Sequence, residues 1–109
     1  MNWIDLTDAA ALTSIKKKSF EKPQVIFKHS TRCSISSMIK NRLERETVPD
    51  NADFYYLDLI AYRNISNQIA DDYSVVHESP QILLIRNGEC VYEESHNGIT
   101  MDEIIEQLN

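Results

Sequence analysis

The spacing of apolar residues switches between helical and strand-like along this chain, and each switch marks an element. From roughly Asp5 to Lys18 the pattern reads as a helix. Leu12 and Ile15 share its apolar face, Asp5 or Thr7 can cap it, and Lys16, Lys17 and Lys18 suit its C-terminal dipole end. Pro23 then opens Gln24-Val25-Ile26-Phe27-Lys28, a short apolar run that reads as a buried strand. A polar turn, His29 to Arg32, leads to a second helix from near Cys33 to Glu46. Ile35, Ile39 and Leu43 recur there at helical spacing with Met38 beside them, and Pro49 and Asp50 end it. The aromatic-rich Phe54 to Leu59 reads as a second strand, and Tyr62 to Tyr73 as a third helix with Ile65, Ile69 and Tyr73 on one face. After the loop Val76 to Pro80 comes the strand Ile82 to Arg86. Asn87-Gly88 is a two-residue hairpin signal, and Glu89 to Glu93 returns antiparallel. Thr100 caps a final helix bearing Met101, Ile104, Ile105 and Leu108, with Glu103 placed as in a capping box.

The resulting order, α-β-α-β-α-β-β-α, describes an α/β fold: a central mixed four-stranded sheet flanked by helices on both faces, in one domain over residues 1–109. A composition of 42% hydrophobic and 26% charged residues fits a globular domain. No apolar run approaches the ~20 residues of a membrane span. Met1 to Asp5 lacks the layout of a secretory leader, so a cytoplasmic location with reduced thiols is expected. The net charge of −6 argues against bulk nucleic-acid binding. No membrane partner is expected either, and the chain reads as a monomer or weak dimer.

Charge matters locally. Lys28, His29 and Arg32 crowd the stretch before Cys33, with Lys40 and Arg42 following. Cys33 stands where a strand gives way to a helix, and the unpaired N–H groups there favour an anion. Such surroundings lower a thiol pKa, and the thiolate is the reactive form. Bringing a thiol from ~8.5 to ~6 gains roughly thirty-fold in thiolate at pH 7 and loses about thirteen-fold in intrinsic nucleophilicity. The larger benefit is a better leaving group, which suits a residue that accepts a small thiol and passes it on. The bland alternative is an inert buried cysteine, against which the polar neighbours Ser30, Thr31, Arg32 and Ser34 argue. Ser36, three residues on, can hydrogen-bond to Cys33 but cannot form a disulfide; otherwise it is an exposed first-turn serine. The second cysteine, Cys90, should share a core face with Leu83, Ile85 and Tyr92. His29 can tune the thiolate, His77 and His96 read as surface residues, and no metal-ligand spacing is present.

The run Phe27-Lys28-His29-Ser30-Thr31-Arg32-Cys33-Ser34-Ile35-Ser36, with Ser79-Pro80-Gln81 and Asn97-Gly98-Ile99-Thr100, resembles the YtxJ-type monothiol bacilliredoxins over essentially the whole chain. The resemblance implies a thioredoxin-like fold with a cis-proline at Ser79-Pro80 beside the catalytic sulfur. It implies a thiol–disulfide oxidoreductase of the bacillithiol system, serving thiol homeostasis under oxidative stress. Cys33 would be the nucleophile that removes bacillithiol from protein mixed disulfides. Bacillithiol would then be a co-substrate, with no tightly bound cofactor, and the partners would be bacillithiolated client proteins and a small-molecule thiol. Lys28, His29 and Arg32 would meet the malate carboxylates of bacillithiol. Related sequences often carry proline after the cysteine, where this chain has Ser34. A competing reading is an iron–sulfur cluster or small-thiol binding module resembling monothiol glutaredoxins, whose Cys-Gly-Phe-Ser signature is absent. An arsenate-reductase-like relative would find only Arg63 and Arg86 for an oxyanion pocket. A redox-inactive adaptor is the plainest option.

Overall fold

A computed structural model describes residues 2–109; Met1, the first residue of the stretch read for a leader, lies outside them. Its strands are β1 (Ile4–Asp5), β2 (Gln24–His29), β3 (Asp53–Asp58), β4 (Gln81–Arg86) and β5 (Glu89–Ser95). Its helices are α1 (Ala11–Lys18), α2 (Ser34–Glu44), α3 (Arg63–Tyr73) and α4 (Met101–Leu108). The sheet runs β1-β3-β2-β4-β5, so β2 is its middle strand, parallel to β3 and antiparallel to β4. Every residue of β2 is buried. A continuous apolar run is what a strand covered on both faces requires.

Alternation along the strands divides the core. Val25, Phe27, Phe54, Ile82 and Leu84 face α2 and α4, meeting Ile39, Leu43, Ile104 and Leu108. Ile26, Leu57, Leu83 and Ile85 face α1 and α3, meeting Leu12, Ile15, Ile65 and Ile69. Thr100 Oγ1 accepts the Glu103 N–H at 3.2 Å, as the capping signal predicts. Asn87 and Gly88 both take positive φ, 54° and 77°, and close the two-residue hairpin between Arg86 and Glu89.

The structure departs from the sequence reading in three places. The sheet has five strands rather than four, because Ile4–Asp5 pairs with Tyr55 and Tyr56 of β3. The first helix therefore starts only at Ala11, and its N-cap is Ala10, whose N–H donates to Asp8 Oδ1 at 2.9 Å; neither Asp5 nor Thr7 caps it. Two residues are too few for a periodic signal, and burial of Leu6 together with the packing of Trp3 on Phe27 outweighs helix propensity here. Secondly, the buried stripe of α2 is Ser36, Ile39 and Leu43, while Ile35 and Met38 are 42% and 46% exposed. Thirdly, β5 carries a bulge: Leu84 pairs with Tyr92 but Ile85 with Cys90, leaving Val91 over. The extra residue reverses the alternation. Cys90 stays with Leu83 and Ile85, whereas Tyr92 turns to the α2/α4 side.

Candidate active site

Cys33 is the N-cap of α2. Its backbone is extended (φ −108°, ψ 120°), its carbonyl accepts the Ser37 N–H at 3.1 Å, and its own N–H donates to Ser30 O at 3.2 Å. No side chain caps the first turn. An N-cap side chain normally accepts from the N–H groups one turn ahead. Here a sulfur occupies that place, where the helix dipole favours negative charge. The side chain is partly exposed, between exposed Arg32 and Ser34, and Cys33 is a free thiol.

The loop that delivers Cys33 is fixed from below. Ser36 Oγ accepts the Ser30 N–H at 3.0 Å and lies 2.7 Å from His29 Nδ1. Ser36 is fully buried, so it is neither an exposed first-turn serine nor a hydrogen-bond partner of Cys33: its oxygen is engaged on the inner side. His29 is buried between Phe27 and Tyr56, with ring centroids 5.9 and 5.5 Å away. Burial holds His29 below the usual imidazole range, Lys40 adds to this, and Asp58 and Glu44 oppose it. Trp3 stacks on Phe27 at 5.5 Å, and its Nε1–H donates to Glu44 at 2.8 Å, which also receives Lys40.

Lys28 requires a correction. Alternation sends it to the opposite face of the sheet from His29, where it is fully buried. Its Nζ donates to Ser66 O at 3.1 Å and to His77 Nδ1 at 3.3 Å. It is not a surface cation for carboxylates, and the cluster Lys28, His29, Arg32 exists in sequence only. Of the three, Arg32 alone is exposed beside the sulfur. His77, read as a surface residue, is half-buried and bonded; His96 is exposed and 3.8 Å from Glu78. The signal for Lys28 was available, because a lysine inside a strand covered on both faces has no exposed side to take.

The Ser79–Pro80 peptide is cis, as expected. Lys28 pairs with Gln81, so Pro80 lies one step beyond, level with His29 at the end of β2 from which the Cys33 loop departs. Ser79 Oγ is buried without a hydrogen-bond partner among the described residues. On the outer side of α2 an open trough is lined by Ser34, Ser37, Met38, Asn41, Arg42 and Arg45. Arg42 is held there by the carbonyls of Asn97 and Ile99 at 3.3 and 3.2 Å.

Cys90 is remote from all of this. It sits opposite Ile85, and Ile85 opposite Gln24, the first residue of β2. Cys33 follows the last. Six residues of strand separate the two ends by roughly 16 Å, against a limit of about 7 Å between the Cα atoms of a disulfide. No helix among the described residues is long and apolar enough to cross a membrane.

Comparison with known proteins agrees with this geometry. A thioredoxin-fold protein assigned as an oxidoreductase superposes with a TM-score of 0.82 at 28% identity, over 94% of this chain and 90% of the other. The Malassezia sympodialis thioredoxin gives 0.74 at 17% identity, covering 98% and 88%. Oxidised thioredoxin O2 from Arabidopsis thaliana gives 0.73 at 20%, covering 97% and 93%. These two show the fold alone. The family model described as monothiol bacilliredoxin BrxC matches residues 4–104. A thioredoxin fold, a free cysteine capping the helix after the middle strand and that match over nearly the whole length make this chain a member of the monothiol bacilliredoxin family, with the role of a thiol oxidoreductase.

Proposed function

We propose that Cys33 removes bacillithiol from protein mixed disulfides by a one-cysteine exchange. The observation that carries this reading is the separation of the two thiols: Cys33 is a partly exposed helix cap at one end of the sheet and Cys90 lies at the other. No disulfide within the chain can close, so the sulfur bound to Cys33 must be taken by a second molecule.

The Cys33 thiolate attacks the bacillithiol sulfur of the client–bacillithiol disulfide. A bond forms between Cys33 and bacillithiol as the client sulfur departs as a thiolate and takes a proton from water. A second small thiol then attacks the bacillithiol sulfur, regenerates Cys33 and leaves as the disulfide. One S–S bond breaks and one forms in each step, so bacillithiol acts as a co-substrate that is bound only covalently and in passing. Two features support an acidic small thiol. Arg32 stands exposed next to the sulfur, and Arg42 and Arg45 line the trough along α2 that begins at Ser34. Guanidinium groups suit carboxylates. These arginines take the part that the sequence suggested for Lys28.

Intact-mass analysis after mixing with bacillithiol disulfide tests the reading. The native chain should gain one bacillithiol and Cys33→Ser none, and only the native chain should release bacillithiol from a bacillithiolated peptide. Loss of exchange in Cys33→Ser should exceed about 1000-fold, as expected when a covalent nucleophile is removed. An adduct that persists in Cys33→Ser, or a native chain that gains none, overturns it.

A further inference from the structure

Lys28 is a fully buried ammonium, and none of the ion pairs among the described residues includes it. Taking a charge out of water without a counter-ion is costly, and an apolar residue of the same length would avoid that cost. Its donors go elsewhere. One N–H reaches Ser66 O in α3 and another His77 Nδ1 in the loop before β4; Ser66 Oγ also lies 3.2 Å from that nitrogen. Its register partner Gln81 is buried too and holds the same loop, donating to Val76 O at 3.1 Å and accepting the Glu78 N–H. The middle strand, α3 and the loop carrying Ser79 and Pro80 past the end of β2 are thus tied at one buried point, five residues before the sulfur.

We propose that Lys28 is a positioning residue for thiol–disulfide exchange, fastening through His77 the Ser79–Pro80 loop against which a disulfide substrate lies at Cys33. The inference rests on the exchange reading above. It requires His77 Nδ1 to accept, so His77 must be neutral. Protonation puts a hydrogen on that nitrogen and a second cation against Lys28. The charged groups facing His77 are Lys28 from β2, Arg63 from α3 and Glu78 from its own loop; Glu78 itself faces His96. Burial, then Lys28 and Arg63, hold His77 below its usual value, and Glu78 opposes them. The clasp therefore persists at neutral pH and opens as the solution turns acid.

Two rates separate positioning from tuning of the sulfur. Alkylation of Cys33 by iodoacetamide needs no docking of a disulfide, whereas exchange with a bacillithiolated peptide does. Lys28→Met keeps the length of the side chain and removes its donors. It should lower exchange about ten-fold while alkylation stays within about two-fold, in line with the sensitivity of catalysis to small misplacements. His77→Asn puts its amide oxygen on Cγ, where Nδ1 stood, and so keeps an acceptor for Lys28 without a titrating ring. It should exchange like the native chain at pH 7.5, and the ratio of exchange to alkylation should no longer fall toward pH 5 as it does in the native chain. Unchanged exchange in Lys28→Met, a parallel fall of both rates, or a native-like acid decline in His77→Asn would overturn the inference. If Lys28→Met does not fold, the His77→Asn profile still decides. If the native chain fails to exchange at all, the functional reading has failed; the clasp is then judged by amide hydrogen exchange, where protection of residues 75–81 equal in Lys28→Met and native protein refutes it.

Discussion

The two cysteines occupy opposite ends of one sheet and opposite kinds of surroundings. Cys33 follows the C-terminal end of the middle strand, caps a helix without a competing side chain and has exposed neighbours. Cys90 lies in the edge strand at the hairpin end, beside Leu83 and Ile85, and its Sγ–H donates to Tyr92 O at 3.3 Å. Burial raises Cys90 above the usual thiol range; the Tyr92 carbonyl works against this and Glu93 with it. The same element in one chain thus caps a helix or flanks the core, and backbone position decides which. A helix N-terminus offers unpaired N–H groups to an anion, and a strand flank does not.

The largest expected effect is a difference in labelling. At pH 7 iodoacetamide should modify Cys33 about 100-fold faster than Cys90, since burial raises the Cys90 thiol and packs it beside Leu83 and Ile85, while Cys33 stands between exposed neighbours at a helix N-terminus. Peptide mapping over a time course reads the two rates in one sample. Comparable rates would erase the contrast. Unfolding in urea should remove it, because both sulfurs then meet the same solvent.

How much of this was legible beforehand depends on the distance over which each signal acts. Helices and inner strands announced themselves through local period, and the hairpin through Asn87-Gly88, whose positive φ values few residues tolerate. The place of Cys33 as a helix cap was legible because the sequence displays the strand-to-helix junction directly. Lys28 misled because adjacency in sequence is not adjacency in space: one step along a strand turns a side chain to the other face. Its partner His77 is 49 residues away and shows no periodic mark. Trp3 and β1 escaped for a related reason, since a two-residue strand is defined by its neighbour Tyr55 rather than by its own pattern. The bulge at Val91 left no trace in composition and still reassigned Tyr92.

The next effect concerns the buried cation near Cys33, for which the hairpin end has no counterpart. Desolvation pushes Lys28 down to about 8 from an ordinary 10.5. The unfolded chain therefore binds more protons than the folded one between these values. Stability linked to Lys28 is at its lowest below pH 8 and rises as pH climbs toward 10.5. Between pH 7 and 10 the native chain should gain about 2–3 kcal/mol relative to Lys28→Met, measured by urea denaturation at both pH values. Tyrosine and Cys90 ionisation act equally in the two proteins and cancel in the difference. A difference that does not change with pH would mean that Lys28 is not desolvated as its burial implies.

Ser36 gives the smallest effect and the most local one. Its hydroxyl serves two buried partners, the Ser30 N–H and His29 Nδ1, and Ser36→Ala leaves both without it. An unsatisfied buried group costs about 1–3 kcal/mol, reduced where a water can enter. A loss of about 1–2 kcal/mol in urea denaturation is therefore expected. The consequence for the comparison is directional. The Ser30 amide belongs to the loop that presents Cys33, and Ser30 O accepts the Cys33 N–H, so slackening this loop should slow Cys33 labelling and leave Cys90 unaffected. A general loss of stability would instead expose Cys90 and speed its labelling. The two explanations therefore move different rates, Cys33 downward in one and Cys90 upward in the other, and the separate rates, taken well below the unfolding transition, show whether Ser36 holds the site or merely fills the space beneath it.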